Sequence, residues 1–239
     1  MLPWNAEDLV FDETRFSGAA RLFPLPDLVM FPHVMQPLHI FEPRYRDMLN
    51  AALDSDGLIA MSVLAPGWEG AYEGRPALLP HVCLGKVVAH QRLDDGCYNL
   101  MLLGMRRARI LEEKPRGRSF REAELVLLDD SYSVEGEADR AEVQAALTDR
   151  FQEALPLAAD STAEEPVREL LAAEVPLGVL TDLISFALPL EAALKRELLA
   201  ECDVDRRASL LLDALSNPTQ PPAAAPAKAL KFPPRFSRN

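Results

Sequence analysis

Cysteine and histidine residues are the first candidates for chemistry in this 239-residue chain. His81 and Cys83 flank one residue, and alternate residues of a strand project from the same face of a sheet. Two ligands do not complete a four-ligand zinc site, and no CxxC pair supplies the others. The spacing of Cys83 and Cys97 from His81 and His90 is compatible with the Cys–His pair of a thiol hydrolase. A reactive thiol, however, needs an electropositive, partly exposed setting and an oxyanion site, and no motif for such a site is visible. We predict no metal ion and no cofactor, with both thiols in the core of a hairpin.

Motifs for nucleotide hydrolysis and peptide cleavage are absent from the sequence. It contains neither GxxxxGK[ST] nor GxGxxG, the loops that hold phosphates, and neither HExxH nor GxSxG. The sequence therefore predicts a protein that is not an enzyme, with no ATPase and no peptidase activity.

The segment 37–46, PLHIFEPRYR, runs from an apolar strand into the start of a helix. Glu42 stands where a carboxylate is favoured by the unpaired N–H groups and the dipole of a helix N-terminus. One interpretation is a structural corner, with Glu42 as the cap and Phe41 in the core. The other is functional, with Arg44 and Tyr45 reaching back over the sheet to shape the rim of a groove.

A basic strip covers residues 106–121, where seven basic and two acidic residues give a net charge of +5. Such a strip can hold an anion or RNA. It can equally be a solvated hairpin edge, where Arg and Lys prevent edge-to-edge strand pairing. Stacking aromatics are missing from the strip except for Phe120, which favours the edge.

Short apolar runs separated by turn residues predict a barrel or curled sheet over residues 21–129. Asp94–Asp95–Gly96 is the strongest hairpin signal, because glycine accepts the positive φ of a tight turn. A helix begins at Pro43 and follows a 3.6-residue rhythm. The predicted strands are 22–25, 28–31, 57–65, 82–93, 97–105, 108–111 and 122–128.

The pattern then changes to helical spacing, with five apolar stripes and Asp203 as a candidate cap for the last. Net charge changes with it, from −1 over residues 21–129 to −12 over 130–216 and +4 over 217–239. We predict four segments: an N-terminal extension (1–20), a β-rich domain (21–130), a helical bundle (131–216) and a disordered basic tail (217–239).

The whole-chain charge of −12 disfavours nucleic acid and anionic membranes as partners. No apolar run approaches the roughly 20 residues that span a bilayer, and no signal peptide is visible. A cytoplasmic protein without a membrane segment is expected; the sequence does not set its oligomeric state.

Residues 21–49, RLFPLPDLVMFPHVMQPLHIFEPRYRDML, closely resemble the opening of the Lon N-terminal (substrate-binding) domain. Residues 85–88 are similar to that family's "GtV" strand, residues 95–100 to its "DGRYNL" turn and residues 103–110 to its "GxxRxRI" strand. Residues 183–207 are similar to its helical "LPL…KQxLL…DVxxRL" pattern. The resemblance covers residues 21–215 and carries several motifs in the right order.

The resemblance implies an α+β protein, with a PUA-like β pseudo-barrel domain followed by a C-terminal helical bundle. In full Lon proteases this domain helps to recognise unfolded or tagged proteins. This chain then corresponds to a free-standing form without the ATPase and peptidase domains. We expect it to bind polypeptide substrates, or a protease or chaperone partner, in a cleft between β-domain and helices.

Site residues follow from this expectation and from the segment 37–46. We predict nine residues for the binding site. The apolar wall is expected from Phe31, Leu38, Phe41 and Tyr45. The polar rim is expected from Asn99, Arg106 and Arg107, and the site also includes His39 and Glu42. The alternatives are RNA binding by a PUA-like module through the strip 106–121, and a small-molecule or enzymatic role in the same cleft.

Overall fold

The computed structural model of the protein describes residues 11–72, 74–154 and 175–216. The chain divides into two compact units, with the division between Leu128 and Asp129. The tail predicted over 217–239 lies outside the described residues, as do the first ten residues and most of the predicted helical stripe 167–175.

The described part of the first unit contains six strands and one α-helix, besides two short 3-10 turns. The strands and the helix are β1 (Ala19–Leu25), β2 (Met35–Ile40), α1 (Pro43–Leu53), β3 (Leu58–Val63), β4 (His81–Arg92), β5 (Tyr98–Glu113) and β6 (Arg121–Leu128). A sharp turn joins β4 to β5, with Gly96 at φ 79°, as the Asp-Gly signal predicts.

The strands close into a barrel because β5 is long enough to pair with three neighbours. The sheet order is β2-β5-β4-β3-β1-β6, and β6 returns to pair with β5. The first half of β5 pairs with β2 and its second half with β6, while β4 runs along both halves. Only β1 and β3 pair in parallel among these strands. Small and branched side chains fill the barrel: Ala20, Leu22, Leu58, Ala60, Val82, Leu84, Ala108, Ala123 and Leu125.

Helix α1 covers the outside of the barrel at β1 and β3. Its buried residues are Tyr45, Met48, Leu49 and Ala52, which recur with the helical period. The ring of Tyr45 packs on Phe23 of β1 at 4.5 Å between centroids. Every residue of β3 is buried, because one of its faces lines the barrel and the other meets this outer layer.

Two strand predictions are wrong. The run 28–31 is buried but irregular, because the chain turns at His33, whose φ is 66° and whose N–H bonds to the carbonyl of Gly104. The two strands predicted at 97–105 and 108–111 are one strand, β5, since Arg107 pairs with Cys83 of β4 and continues the ladder.

The described part of the second unit consists of four helices: α2 (Arg140–Ala154), α3 (Leu177–Ala187), α4 (Ala192–Ala200) and α5 (Val204–Ser216). Helix α5 packs against the other three. Asp203 caps it as predicted, with Oδ1 accepting from the N–H groups of Asp205 and Arg206. A barrel followed by helices confirms the predicted α+β class.

Candidate functional site

A half-exposed apolar surface lies on the outer side of β2 and β5. Residues of β2 alternate, so Leu38 and Ile40 point inward while Met35, Pro37 and His39 point outward. Directly opposite on β5 lie Leu103, Met101 and Asn99, and cross-strand partners share a face. We call this surface, with Phe41 at its end, the β2–β5 face.

Two large apolar side chains on this face are open to solvent. Met35 is 48% exposed and Phe41 is 42% exposed. His39 lies between them along the strand, with its ring stacked on Phe41 at 6.1 Å and its Nδ1 2.8 Å from Asn99 Oδ1. Within the described residues β2 also forms the outer edge of the sheet, because its one strand partner is β5. The face therefore offers both an apolar strip and an open strand edge.

Glu42 follows Phe41 at the end of this face, and its side chain is not the helix cap that one interpretation of the sequence expected. It occupies the N-cap position of α1 without a side-chain cap hydrogen bond; its backbone carbonyl accepts from Tyr45 and Arg46 instead. The carboxylate is committed elsewhere: Oε1 accepts from the Tyr72 hydroxyl at 2.8 Å, and Oε2 from Arg44 Nε at 2.9 Å.

Arg44 lies between two tyrosine rings. Its guanidinium carbon is 4.7 Å from the centroid of Tyr45 and 4.8 Å from that of Tyr72. Burial raises the pKa of Tyr45, and burial together with the bond to Glu42 raises the pKa of Tyr72. Both phenols therefore stay neutral donors at physiological pH.

The nine residues predicted for the site all lie in the first unit, but at different depths. His39, Phe41, Glu42 and Asn99 come together at one end of the β2–β5 face. Four others are buried: Phe31, Leu38, Tyr45 and Arg107. Of these only Leu38 belongs to β2, where it points inward. Arg106 lies apart from the face, 3.4 Å from Glu13 and over the ring of Phe11.

The basic strip 106–121 does not form one continuous basic surface. Arg107 is 3% exposed, and Arg121 bonds Glu113 through both Nε and Nη2. Its exposed cations are Arg109 on β5 and Arg116 and Arg118 in the β5–β6 connection. The RNA alternative would therefore rest mainly on that connection.

The cysteines do not form a nucleophilic site within the described residues. Cys83 is buried, as predicted, whereas Cys97 is half-exposed in the turn before β5 rather than in the core. Desolvation and the neighbouring Asp95 raise the pKa of Cys97, which disfavours the thiolate. Burial and Arg109 lower the pKa of His81.

Two further properties concern the described residues alone. They contain no group of three or more His, Cys, Asp or Glu side chains arranged to hold a metal ion. None of their helices has both the length and the apolar character needed to cross a bilayer.

Sequence reasoning missed a cavity of about 210 Å³ in the first unit. Its walls combine members of the basic strip, Arg116, Arg118 and Arg121, with Arg44 and Arg75. Arg75 comes from the irregular β3–β4 connection, which has no periodicity from which its position could be predicted.

A family model and curated relatives indicate the family to which this chain is similar. The model of the ATP-dependent protease La (LON) substrate-binding domain matches residues 19–217. Lon protease 2 of Desulfotalea psychrophila is 29% identical over 195 residues, which cover 81% of this chain and 24% of that protein. Lon protease 2 of Syntrophobacter fumaroxidans is 27% identical over 120 residues, 50% of this chain and 15% of that protein. This chain thus spans about a quarter or less of these relatives.

Solved structures show the same fold. The N-terminal domain of a Mycobacterium avium complex Lon protease superposes with a TM-score of 0.65 at 19% identity, over 83% of this chain and 98% of that one. A Lon N-terminal domain protein from Xanthomonas campestris gives 0.57 at 22% identity, over 82% and 97%.

Proposed function

Because this chain belongs to the family of Lon substrate-binding domains, we propose that it binds extended segments of polypeptide on the β2–β5 face and catalyses no reaction. Its ligands are unfolded protein substrates, or exposed segments of a protease or chaperone with which it works. The observation that carries this proposal is the open apolar strip on an edge strand.

The strip suits a polypeptide in its dimensions and its chemistry. Met35 to Phe41 covers seven residues, so at about 3.3 Å per residue the strip is about 20 Å long. An extended segment of similar length could lay alternate side chains along it. The open edge of β2 adds main-chain hydrogen bonds that do not depend on the ligand's sequence. Pro37 contributes no N–H, which limits this pairing and disfavours permanent sheet association.

Affinity on this face comes from partial burial of a few side chains. Fully burying a Met or Phe side chain is worth about 1.5–3 kcal/mol, and Met35 and Phe41 are already about half buried. Each therefore has about 1 kcal/mol left to contribute. Contributions of this size suit a domain that binds many different polypeptide sequences with low affinity. The acidic second unit, net −12 over residues 130–216, favours basic segments by long-range attraction.

The test is binding of a fluorescently labelled, permanently unfolded probe of basic net charge, reduced lysozyme with its cysteines capped as neutral amides, followed by anisotropy. The double variant Met35→Ser/Phe41→Ser should bind about 10–30-fold more weakly, which corresponds to the 2 kcal/mol or so removed. The matched control is Leu111→Ser, because Leu111 is 55% exposed on the same strand β5 but lies away from the face. Equal losses in the control and the double variant would contradict the proposal.

A salt series separates this function from RNA binding. Apolar association should persist between low and high salt, whereas phosphate contacts weaken steeply. If the protein binds single-stranded RNA more tightly than the unfolded probe, and Arg116→Gln weakens that binding, the RNA alternative is correct.

A further inference from the structure

Five of the described residues that line the 210 Å³ cavity are arginines, and the described lining contains no acidic residue. From this cavity we infer a binding site for a phosphate monoester, supplied by a small phosphorylated molecule or by a phosphorylated side chain. The inference is independent of the polypeptide site, since no residue of the β2–β5 face lines the cavity.

Carboxylates behind the walls fix part of the arginine cluster in place. Glu113 accepts from Arg75 Nη2 at 2.8 Å and from Arg121 Nε at 2.9 Å, and Glu42 holds Arg44. Although partial burial opposes it, bonding from Arg121 and Arg75 keeps the pKa of Glu113 below its usual value. The walls are thus preorganised at physiological pH.

Other guanidinium donors remain available to a ligand. All hydrogen bonds of Arg75 within the described residues use Nη2, which leaves Nε and Nη1. Arg116 forms no ion pair with a described residue, and Arg118 makes a 3.4 Å contact to Glu122 through Nε while 56% of its side chain is exposed. These groups present the planar donor pairs that bind phosphate oxygens two at a time.

The charge and size of the cavity favour a dianion. Among the described residues, the five arginines set against their ion-pair partners Glu42, Glu113 and Glu122 leave a net charge of +2. Asp47, which accepts from the Ser119 hydroxyl of the lining at 2.7 Å, reduces the local charge to +1. A phosphate monoester carries about −1.5 to −2 at pH 7. A water takes up about 30 Å³ of liquid, so the cavity has room for about seven waters, or for a phosphate and the first atoms of the group it esterifies. The rings of Tyr45, Tyr72 and Phe120 give that group an apolar wall.

The experiment is calorimetric titration of the full chain with three probes: inorganic phosphate, a short peptide with one phosphoserine, and the same peptide with aspartate there. Inorganic phosphate should bind, and the aspartate peptide should bind at least tenfold more weakly than inorganic phosphate. Binding of both phosphate probes indicates a phosphorylated side chain as the source, and binding of inorganic phosphate alone a small molecule.

The variant that tests the site is Arg116→Gln/Arg118→Gln, whose residues are exposed and outside the core. It should lose at least tenfold in affinity for the phosphate probes, as expected for lost charge-assisted hydrogen bonds. Arg109→Gln is the control, because Arg109 is an exposed arginine of the same barrel that does not line the cavity. The inference is overturned by no binding up to about 10 mM, by equal binding of the aspartate peptide, or by equal losses in variant and control.

Discussion

Replacing Arg207 should destabilise the second unit more than any surface change, because this cation is wholly buried. Its Nη1 and Nη2 donate to Oδ1 and Oδ2 of Asp130 at 2.9 and 2.7 Å, and its Nε donates to Thr181 Oγ1 at 2.9 Å. The carbonyl of Glu201 accepts a further bond at 2.9 Å. One side chain thus ties α5 to α3 and to the segments before α2 and α5.

The size of the expected loss in unfolding free energy is set by the burial of Arg207, not by the sum of its hydrogen bonds. Summed at about 1.5–3 kcal/mol per charged bond, these contacts would equal the stability of a whole small domain, so the single-bond values cannot simply be added. Removing one partner of a buried ion pair costs about 3–5 kcal/mol. Arg207→Met keeps most of the side-chain volume and should lose that amount. Arg207→Lys keeps the charge without the fork geometry and should lose less.

Urea unfolding followed by circular dichroism at 222 nm measures this loss in the helical unit. Arg206→Met is the matched control: the neighbouring side chain is 70% exposed and pairs with Glu201 at 3.1 Å. A surface pair of this kind contributes about 0–1 kcal/mol. If Arg207→Met is insoluble, Arg207→Lys still has to unfold at lower urea than the control. Midpoints equal to that of Arg206→Met in both variants would refute the reasoning.

Two further substitutions test close packing and a buried charge. An alanine Cβ at Gly104 would lie 2.0 Å from the carbonyl oxygen of Phe31, so Gly104→Ala should lower the free energy of unfolding by about 1–3 kcal/mol or more in thermal melts. The control Gly70→Ala, which has open space around its Cβ, should not change the melting temperature. Equal melting temperatures for the two variants would contradict the close contact at Gly104. Burial lowers the pKa of Lys195 to about 8, with Nζ bonded to the carbonyl of Phe186. Because the unfolded chain holds this proton up to about pH 10.4, stability should rise with pH between about 8 and 10.4. Lys195→Met should flatten that rise in urea unfolding at pH 7 and 9.5, and parallel curves for the two proteins would show that Lys195 is not its source.

Turn and helix-start residues in the sequence correctly predicted the elements that depend only on neighbouring residues. The glycine after Asp94–Asp95 fixes the β4–β5 turn, and Pro43 with its helical rhythm fixes the start of α1. The run 28–31 looked like a strand because it is apolar and short. Its irregular path is determined by Gly104, whose lack of a side chain lets the backbone of Phe31 approach closely. A contact across more than seventy residues leaves no mark in the local pattern.

The candidate site was predictable only where local sequence signals determine it. The outward alternation of β2 and its pairing with Asn99 follow from residues that the sequence already marks. The position of the cavity does not follow from the sequence. Its walls come from α1, the β3–β4 and β5–β6 connections and the start of β6, and closure of the barrel brings them together. The sequence showed a basic strip, but not that Arg75 would join it or that Arg107 would be buried.

Glu42 lies between the β2–β5 face and the cavity, and its carboxylate makes no helix-capping hydrogen bond. Because the backbone carbonyl of Glu42 already starts α1, the side chain is available to bind Tyr72 and Arg44. Phe41, the preceding residue, ends the β2–β5 face, while Tyr72 and Arg44 line the cavity. The same short segment therefore sets the end of the apolar strip and the position of a cavity wall. If a bound anion moves Arg44, its bond to Glu42 changes with it, one residue away from Phe41.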